Sequence, residues 1–305
     1  MPAALGAAVA YHGGNNPRNG ERRFPMASTL TTPEAIPGFP EFGHIPLEGL
    51  HNTRDLGGLP AADGRTVKPA LLLRSGALHK ATENDIVRLL DDYHLESVVD
   101  FRTEVERDKE PDPQALLEGV VFYEFPALTG ETLGITHGGG LAADVKLLEG
   151  LTAKAHEMVR AMYPKILLGD AGVAAYRGFL NGLLESDGGA VLWHCTEGKD
   201  RAGLGAVVVE RALGVPEADV RADYLATNLF ARNRAEGVLD ALAVKLPALR
   251  GVDADVDAFF YAYADYYDAA MGAVTDAFGT FDAYLTEALD FGPEKQTALR
   301  EKYLA

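Results

Sequence analysis

The chain has 305 residues, of which 47% are hydrophobic, and a formal net charge of −17 at pH 7. This composition supports a sizeable core and excludes a compositionally disordered protein, while the negative charge argues against nucleic acid or an anionic membrane surface as a partner. The single cysteine excludes an internal disulfide framework and any metal site built from several cysteines.

The start of the chain differs in composition from the rest. Residues 1–27 are rich in Ala, Gly, Asn and Arg without periodicity, so we expect a disordered tail followed by one domain over 28–305. The first ten residues lack the basic residues of a secretory signal, and no apolar run is long enough to span a bilayer. We therefore expect a cytoplasmic protein, with secretion by a route without a signal peptide as the alternative.

The body of the chain alternates between two kinds of apolar pattern. Short apolar runs that end in turn residues predict four strands, over residues 70–76, 96–102, 120–126 and 189–194. Apolar residues at helical spacing predict helices over 82–94, 171–186 and 201–215. Strands that alternate with helices favour an α/β fold with a central, mostly parallel sheet flanked by helices.

Two stretches, residues 129–168 and 220–290, are interpreted as helical insertions. The first begins with a Gly-rich run, and the second contains a stripe of aromatic residues over 261–271. Such stretches either form a lid over a pocket or pack as ordinary core helices. The sequence leaves both interpretations open.

The only cysteine lies in the string HCTEGKDRAG, between a predicted strand and a predicted helix. A loop at the carboxyl end of a parallel strand lies where open α/β sheets bind ligands. Its backbone N–H groups can converge on a phosphate, the next helix adds the positive end of its dipole, and a glycine lets the backbone approach the anion. We therefore predict that a phosphate-binding loop around Cys195 is formed by His194, Thr196, Glu197, Gly198, Lys199 and Ala202.

The reactive side chains of this loop have complementary chemistry. The positive field of the loop favours the thiolate of Cys195, which is the nucleophilic form. Arg201 can bind two phosphate oxygens and stabilise the transferring group, and His194 can orient the loop by hydrogen bonding. Cys195 could instead be a small core side chain, but the spacing of these residue types favours a nucleophile that attacks phosphate esters.

Cys195 and Arg201 have the Cys-x5-Arg spacing of cysteine-dependent phosphatases. The whole string resembles a bacterial branch of the protein tyrosine phosphatases, also described as atypical lipid phosphatases, which includes a secreted mycobacterial enzyme. This resemblance implies a two-step reaction in which Cys195 forms a phosphocysteine and water then releases phosphate. Further similar segments are HNTRDLGGL (51–59), DGRTVKPALLLRSGAL (63–78), VVDFRTEVERDKEPDP (98–113) and DYLATN (223–228).

The resemblance also implies an acid that protonates the leaving oxygen, and two aspartates compete for this role. Asp200 lies in the loop beside Arg201, whereas Asp100 ends a predicted strand and should project at the same sheet edge. We favour Asp200, with Asp100 assisting or competing. Alternatively, Asp200 only caps the following helix, and Asp100 only pairs with Arg102 or Arg74.

The resemblance leaves the substrate open between two classes. The lysine at the position of Lys199 is associated in that family with phosphoinositide headgroups as well as phosphotyrosine. A phosphotyrosine protein is the first expected substrate, and a phosphoinositide or inositol phosphate is the alternative. Ala202 stands where many cysteine phosphatases carry a hydroxyl that assists phosphocysteine breakdown. Arg54, Asp55 and Arg74 also match family motifs, and we expect structural ion pairs or loop support from them rather than direct catalysis.

Other functional classes fit the motifs less well. A rhodanese-type sulfurtransferase uses a shorter Cys loop, and an arsenate reductase requires further cysteines. No G-x-S-x-G elbow accompanies the HGGG run at 137–140, and the calcium-like run at 253–257 lacks the required Gly and Glu. No metal motif is present, so we expect no cofactor. A pseudophosphatase that only binds a phosphorylated partner is the non-enzymatic alternative.

Overall fold

A five-stranded sheet forms the centre of the fold in the computed structural model, which describes residues 30–129, 155–230 and 258–305. The strands are β1 (Arg54–Asp55), β2 (Leu72–Ser75), β3 (Leu95–Asp100), β4 (Val121–Glu124) and β5 (Ala190–His194). The sheet has the order β1-β2-β5-β3-β4, with β1 antiparallel to β2 and the other neighbours parallel. The predicted α/β fold with a mostly parallel sheet is therefore confirmed.

The strands predicted from apolar runs are all present as β2 to β5. Strand β1 escapes that prediction because its two residues are charged and offer no apolar run. It nevertheless pairs with β2, so that Arg54 lies opposite Arg74. This pairing brings both arginines close to the loop that follows β5.

Helices cover both faces of the sheet. The three predicted helices are confirmed as α1 (Glu83–Asp91), α4 (Asp170–Glu185) and α5 (Arg201–Leu213). Helices α2 (Glu104–Lys109) and α8 (Pro293–Tyr303) were not predicted. In α2 no residue is buried, so its sequence has no apolar stripe to detect. The other long helices of the described ranges are α3 (Ala155–Leu168), α6 (217–230) and α7 (Ala264–Phe278).

Local sequence explains where the helices next to the site begin and end. Helix α1 begins with a capping box, in which the Thr82 hydroxyl accepts from the Asp85 amide while the Asp85 carboxylate accepts from the Thr82 amide. Helix α5 is apolar on all sides, and each of its residues except Arg211 is buried. It ends at Gly214, which adopts the left-handed conformation that glycine tolerates best.

Alternation along the strands divides the core between the two faces of the sheet. Val99 and Trp193 belong to the larger core cluster, which includes side chains of α3, α4, α5 and α7. Val98 and Leu192, one residue before each, belong to a smaller cluster with α1. The sheet is therefore sandwiched between helices, and only its edges are available for a site.

The aromatic stripe over 261–271 packs as core. Tyr266 and Tyr267 are buried, and their ring centroids lie 5.1 Å from Tyr163 and 5.5 Å from Tyr224. Of the two interpretations left open by the sequence, core packing is the one confirmed for these residues.

Several predictions concern residues outside the described ranges. These are the tail over 1–27, the HGGG run at 137–140, the calcium-like run at 253–257 and parts of both insertions. The proposed boundaries of the tail, the domain and the insertions therefore remain predictions. Within the described ranges, no helix combines the length and apolar character that a bilayer crossing requires.

Candidate active site

The cysteine loop lies at the carboxyl edge of the sheet, between β5 and α5. Strand β5 has β2 on one side and β3 on the other, and its last residue, His194, is in register with Ser75 and Asp100. The loop therefore leaves the sheet from the middle of three parallel strand ends. This is the edge at which open α/β sheets bind ligands.

Gly198 is the turning point of the loop. Its φ is +66°, in the left-handed region. A Cβ atom there would lie 2.7 Å from the Ser75 carbonyl and 2.8 Å from the Gly76 nitrogen. Both the backbone conformation and the close approach to β2 therefore require glycine.

Hydrogen bonds from neighbouring segments hold the Thr196 and Gly198 carbonyls so that they point away from the loop centre. The Ala77 amide donates to the Thr196 carbonyl at 3.0 Å. The Gly198 carbonyl accepts from Asn52 Nδ2 at 3.0 Å and from Arg74 Nη2 at 2.9 Å. In a planar trans peptide the next N–H points opposite to the carbonyl. The following amides are thus directed into the loop, where an oxyanion would accept from them.

A fully buried group of charges, here called the anchor cluster (Arg54, Arg74, Glu210 and Asp223), supports the loop. Asp223 pairs with Arg54 at 2.6 Å and with Arg74 at 2.8 Å, and all three side chains have no exposed surface. Burial and the nearby Asp223 charge raise the pKa of Glu210 well above its usual value. The predicted structural ion pairs of the two arginines are confirmed.

The Cys195 side chain is buried, with 2% of the residue exposed, and belongs to the larger core cluster. His194 links the loop to the region after β3, since its Nδ1 lies 3.2 Å from the Cys195 carbonyl and its Nε2 lies 3.1 Å from Asp112. Burial opposes the charge, but the carboxylates of Asp100 and Asp112 raise the pKa of His194 overall. A protonated imidazole would donate to both partners.

Asp100 is held by a neighbouring arginine. Its carboxylate accepts from Arg102 Nε at 3.0 Å and Nη2 at 2.8 Å, and from the Arg102 amide at 2.8 Å. Asp100, Asp112 and His194 place three ligand-type atoms within 4.8 Å of one another. However, Arg102 also lies 2.9 Å from Asp112, so a guanidinium supplies the positive charge between these carboxylates.

Asp200 occupies the N-cap position of α5, but its side chain makes no capping hydrogen bond. Its Oδ1 instead accepts from the Tyr163 hydroxyl at 2.5 Å, and that hydroxyl accepts from Tyr224 at 2.7 Å. Burial and the Asp200 charge raise the pKa of Tyr163 well above its usual value, so it stays a donor. With 21% of its side chain exposed, Asp200 can reach a bound molecule.

Arg201 forms a two-bond pair with a residue that the sequence did not indicate, Glu106. Its Nη1 and Nη2 donate to the two Glu106 oxygens at 2.6 and 2.8 Å, and the Thr196 hydroxyl donates to the same carboxylate at 2.6 Å. Burial opposes the charge, but Arg201 lowers the pKa of Glu106 to about 2. The string from Thr103 to Glu106 has the form of a capping box, which signals a helix start but not this partner.

Lys199 is directed away from the loop interior. Only 1% of its side chain is exposed, and its Nζ donates to the carbonyls of Ala258, Phe259 and Tyr261 at 3.3, 3.0 and 3.4 Å. It also lies 3.4 Å from Asp200. Its charge therefore joins the loop to the segment that precedes α7.

The remaining predicted loop residues, Glu197 and Ala202, contact neighbouring side chains. The Glu197 carboxylate lies 3.1 Å from His51. Ala202 is wholly buried, and its carbonyl accepts from the Trp193 indole at 3.0 Å.

Comparison with known proteins agrees with this geometry. A family model described as "Tyrosine phosphatase family" matches residues 45–305. A candidate tyrosine-protein phosphatase of Cupriavidus necator is 33% identical to the chain over 262 residues. That alignment covers 86% of this chain and 88% of the relative.

Proposed function

Because this chain belongs to the tyrosine phosphatase family, and is therefore a phosphoric monoester hydrolase, we propose that it hydrolyses phosphotyrosine in proteins through a phosphocysteine on Cys195. One arrangement carries the proposal: a buried thiol and a guanidinium stand at the two ends of a single loop, whose Gly198 carbonyl is held by Asn52 and Arg74 so that the next amide is free for an oxyanion. These are the nucleophile, the oxyanion donors and the cation that phosphoryl transfer from an ester requires.

In the first step, the Cys195 thiolate attacks phosphorus and forms an S–P bond. The P–O bond to the tyrosine breaks, and its electron pair goes to the phenolic oxygen. Asp200 donates a proton to that oxygen, while Arg201 and the loop amides stabilise the equatorial oxygens. The exposed edge of the Asp200 carboxylate and the Tyr163 hydrogen bond that orients it support this assignment over Asp100.

In the second step, water attacks the phosphocysteine. The Asp200 carboxylate now accepts a proton from water, the S–P bond breaks, and the thiolate is regenerated as phosphate leaves. Ala202 offers no hydroxyl to the departing thiolate, so the loop amides and the helix dipole of α5 must stabilise it.

The position of Lys199 supports a phosphotyrosine substrate over a phosphoinositide. A multiply phosphorylated headgroup would gain most from a second cation free to bind another phosphate. Lys199 already donates to three main-chain carbonyls. Moving it would leave those carbonyls and a buried cation without their partners.

The proposal is tested by phosphate release from a phosphotyrosine peptide and from phosphoinositide vesicles, in chelator, by wild type and Cys195→Ser. We expect release from the peptide, a preference for it over the vesicles, and no release by the mutant. Acid quenching during turnover should trap phosphate on the peptide that contains Cys195.

Three results would contradict the proposal. Undiminished release by Cys195→Ser would exclude the thiol as nucleophile. A preference for the vesicles would reassign the substrate to phosphoinositides and leave the nucleophile in place. Absence of release from both substrates by wild type would favour a protein that only binds phosphorylated partners.

A further inference from the structure

We propose that Glu106 is a positioning residue that holds the Arg201 guanidinium in the orientation needed to bind the substrate phosphate. This inference rests on the proposed function. Glu106 belongs to α2, outside the cysteine loop, and lies 95 positions before Arg201 in sequence. The two side chains are mostly buried, with 6% of Arg201 and 11% of Glu106 exposed.

The pairing uses one side of the guanidinium and leaves another side open. Both terminal nitrogens, Nη1 and Nη2, donate to the Glu106 carboxylate. Among the described residues, no hydrogen bond uses Nε of Arg201. Nη2 also donates to the Thr196 hydroxyl at 3.2 Å. A guanidinium held end-on can still present Nε side-on to one phosphate oxygen, and the second hydrogen of Nη2 can pass from Thr196 to another when phosphate binds.

The Glu106 carboxylate is itself held in place from two directions. At the start of α2, its Oε2 accepts from the Thr103 amide at 3.0 Å and the Thr103 hydroxyl at 2.8 Å. From the loop, its Oε1 accepts from the Thr196 hydroxyl at 2.6 Å. A carboxylate fixed in this way can fix the cation bound to it, because little side-chain freedom remains to be lost on substrate binding.

A second interpretation of the same contacts is that Glu106 occupies the phosphate position and competes with substrate. A competitor would accept hydrogen bonds from the backbone amides of the loop. Within the described residues, the donors to Glu106 are side chains of Arg201 and Thr196 and the two groups of Thr103. None is an amide of the loop, which favours positioning.

The test measures oxyanion binding separately from turnover. Tungstate binding is measured by calorimetry, and kcat and KM are measured with a phosphotyrosine peptide, for wild type, Glu106→Ala, Glu106→Gln and Glu104→Ala. Glu104 is an exposed carboxylate of the same helix, so its removal makes a matched change in charge. Cys195→Ser is included to test the proposed function in the same series.

We expect Glu106→Ala to weaken tungstate binding about tenfold or more and to lower kcat as well, since a charge-assisted two-bond pair is lost. Glu106→Gln keeps one acceptor oxygen and should be intermediate. Glu104→Ala should stay within about twofold of wild type, as expected for an exposed charge. Thermal unfolding of each variant confirms that folded protein is compared, and the isosteric Gln variant decides the matter if the Ala variant does not fold.

The proposal is overturned if folded Glu106→Gln and Glu106→Ala bind tungstate as tightly as wild type. Tighter binding would also overturn it and identify Glu106 as a competitor of the phosphate. An equal loss in Glu104→Ala would show that only the net charge of α2 matters. Failure of wild type to release phosphate would contradict the proposed function, while the tungstate affinities would still decide the role of Glu106.

Discussion

Two groups of buried charge contact the same loop, and they differ in how completely water is excluded. In the anchor cluster, Arg54, Arg74 and Asp223 have no exposed side-chain surface. In the pair between Arg201 and Glu106, 6% and 11% remain exposed. Both groups combine guanidinium with carboxylate, so the chemistry of the pairing does not separate them.

The difference lies in what each guanidinium can still bind. Arg74 donates to Asp223 and to the Gly198 carbonyl, both of which belong to the protein. Arg201 has its two terminal nitrogens on Glu106 and Thr196, and its Nε donates to no described residue. The anchor cluster therefore fixes the shape of the loop, whereas the Arg201 pair keeps a cation available to a ligand. Perturbing the first should change stability, and perturbing the second should change binding and turnover.

The largest effect is expected in the anchor cluster. Asp223→Ala would leave two buried arginines without their shared carboxylate and should lower the free energy of unfolding by about 3–5 kcal/mol. Urea unfolding measures this loss, with Glu217→Ala, at an exposed position of the same helix, as the control. A loss no greater than that of the control would show that the cluster is not an anchor.

The ion pair between Arg201 and Glu106 should instead make the free energy of unfolding depend on pH in the acid range. The pKa of Glu106 is lowered to about 2 from an ordinary value of 4.5. Because the folded value is the lower one, its contribution is present above pH 4.5 and is lost as the pH falls toward 2. Wild type should therefore exceed Glu106→Gln in stability by at most about 3 kcal/mol near neutral pH.

The measurement is urea unfolding of both proteins across this acid range. The difference should shrink as the pH falls and vanish near the folded pKa of Glu106. Glu210 in the anchor cluster should add nothing to this trend, because it is present in both proteins and its titration cancels in their difference. A difference that stays constant with pH would contradict the assigned ion pair.

Asp200 and Asp100 differ in the same way: Asp200 is proposed to act on the substrate, whereas Asp100 is proposed to stabilise the protein. Asp200→Asn should lower kcat about 100-fold for esters with poor leaving groups, because it cannot supply the proton. Esters whose leaving group is stable as an anion should lose much less. Steady-state kinetics over a series of aryl phosphates measures this dependence.

Asp100→Asn is the comparison for that series. Asp100 is tied to Arg102, so its change should lower stability without steepening the dependence on leaving group. A steeper dependence in Asp100→Asn than in Asp200→Asn would reverse the assignment of the acid.

The cysteine loop was predictable because its chemistry is continuous in sequence. A strand, a loop containing Cys195 and Gly198, and a mostly apolar helix that begins at Arg201 follow one another within a short stretch. The side chains that orient these residues come from distant segments. Glu106 lies 95 positions before Arg201 and Tyr163 lies 37 positions before Asp200. Apolar periodicity reports which face of an element is buried, not which residue a polar side chain will meet.

The direction of Lys199 shows the same limit. The family resemblance implied that its charge would bind the substrate. The structure places its Nζ on carbonyls that lie about 60 positions later in the chain. That choice depends on how the segment before α7 packs, which no local pattern specifies.

The smallest effect is expected from Tyr163→Phe. Tyr163 donates to Asp200 but touches no reacting atom in the proposed mechanism, so its loss removes orientation and leaves the acid in place. A buried hydrogen bond of this kind contributes about 1 kcal/mol, which corresponds to a roughly fivefold fall in kcat for poor leaving groups. Tyr284→Phe is the matched control, because that buried hydroxyl donates to the Leu167 carbonyl instead. If both variants lost stability equally and neither altered the dependence of kcat on the leaving group, Tyr163 would only stabilise the fold. Asp200 would then act as the acid without needing the Tyr163 hydrogen bond.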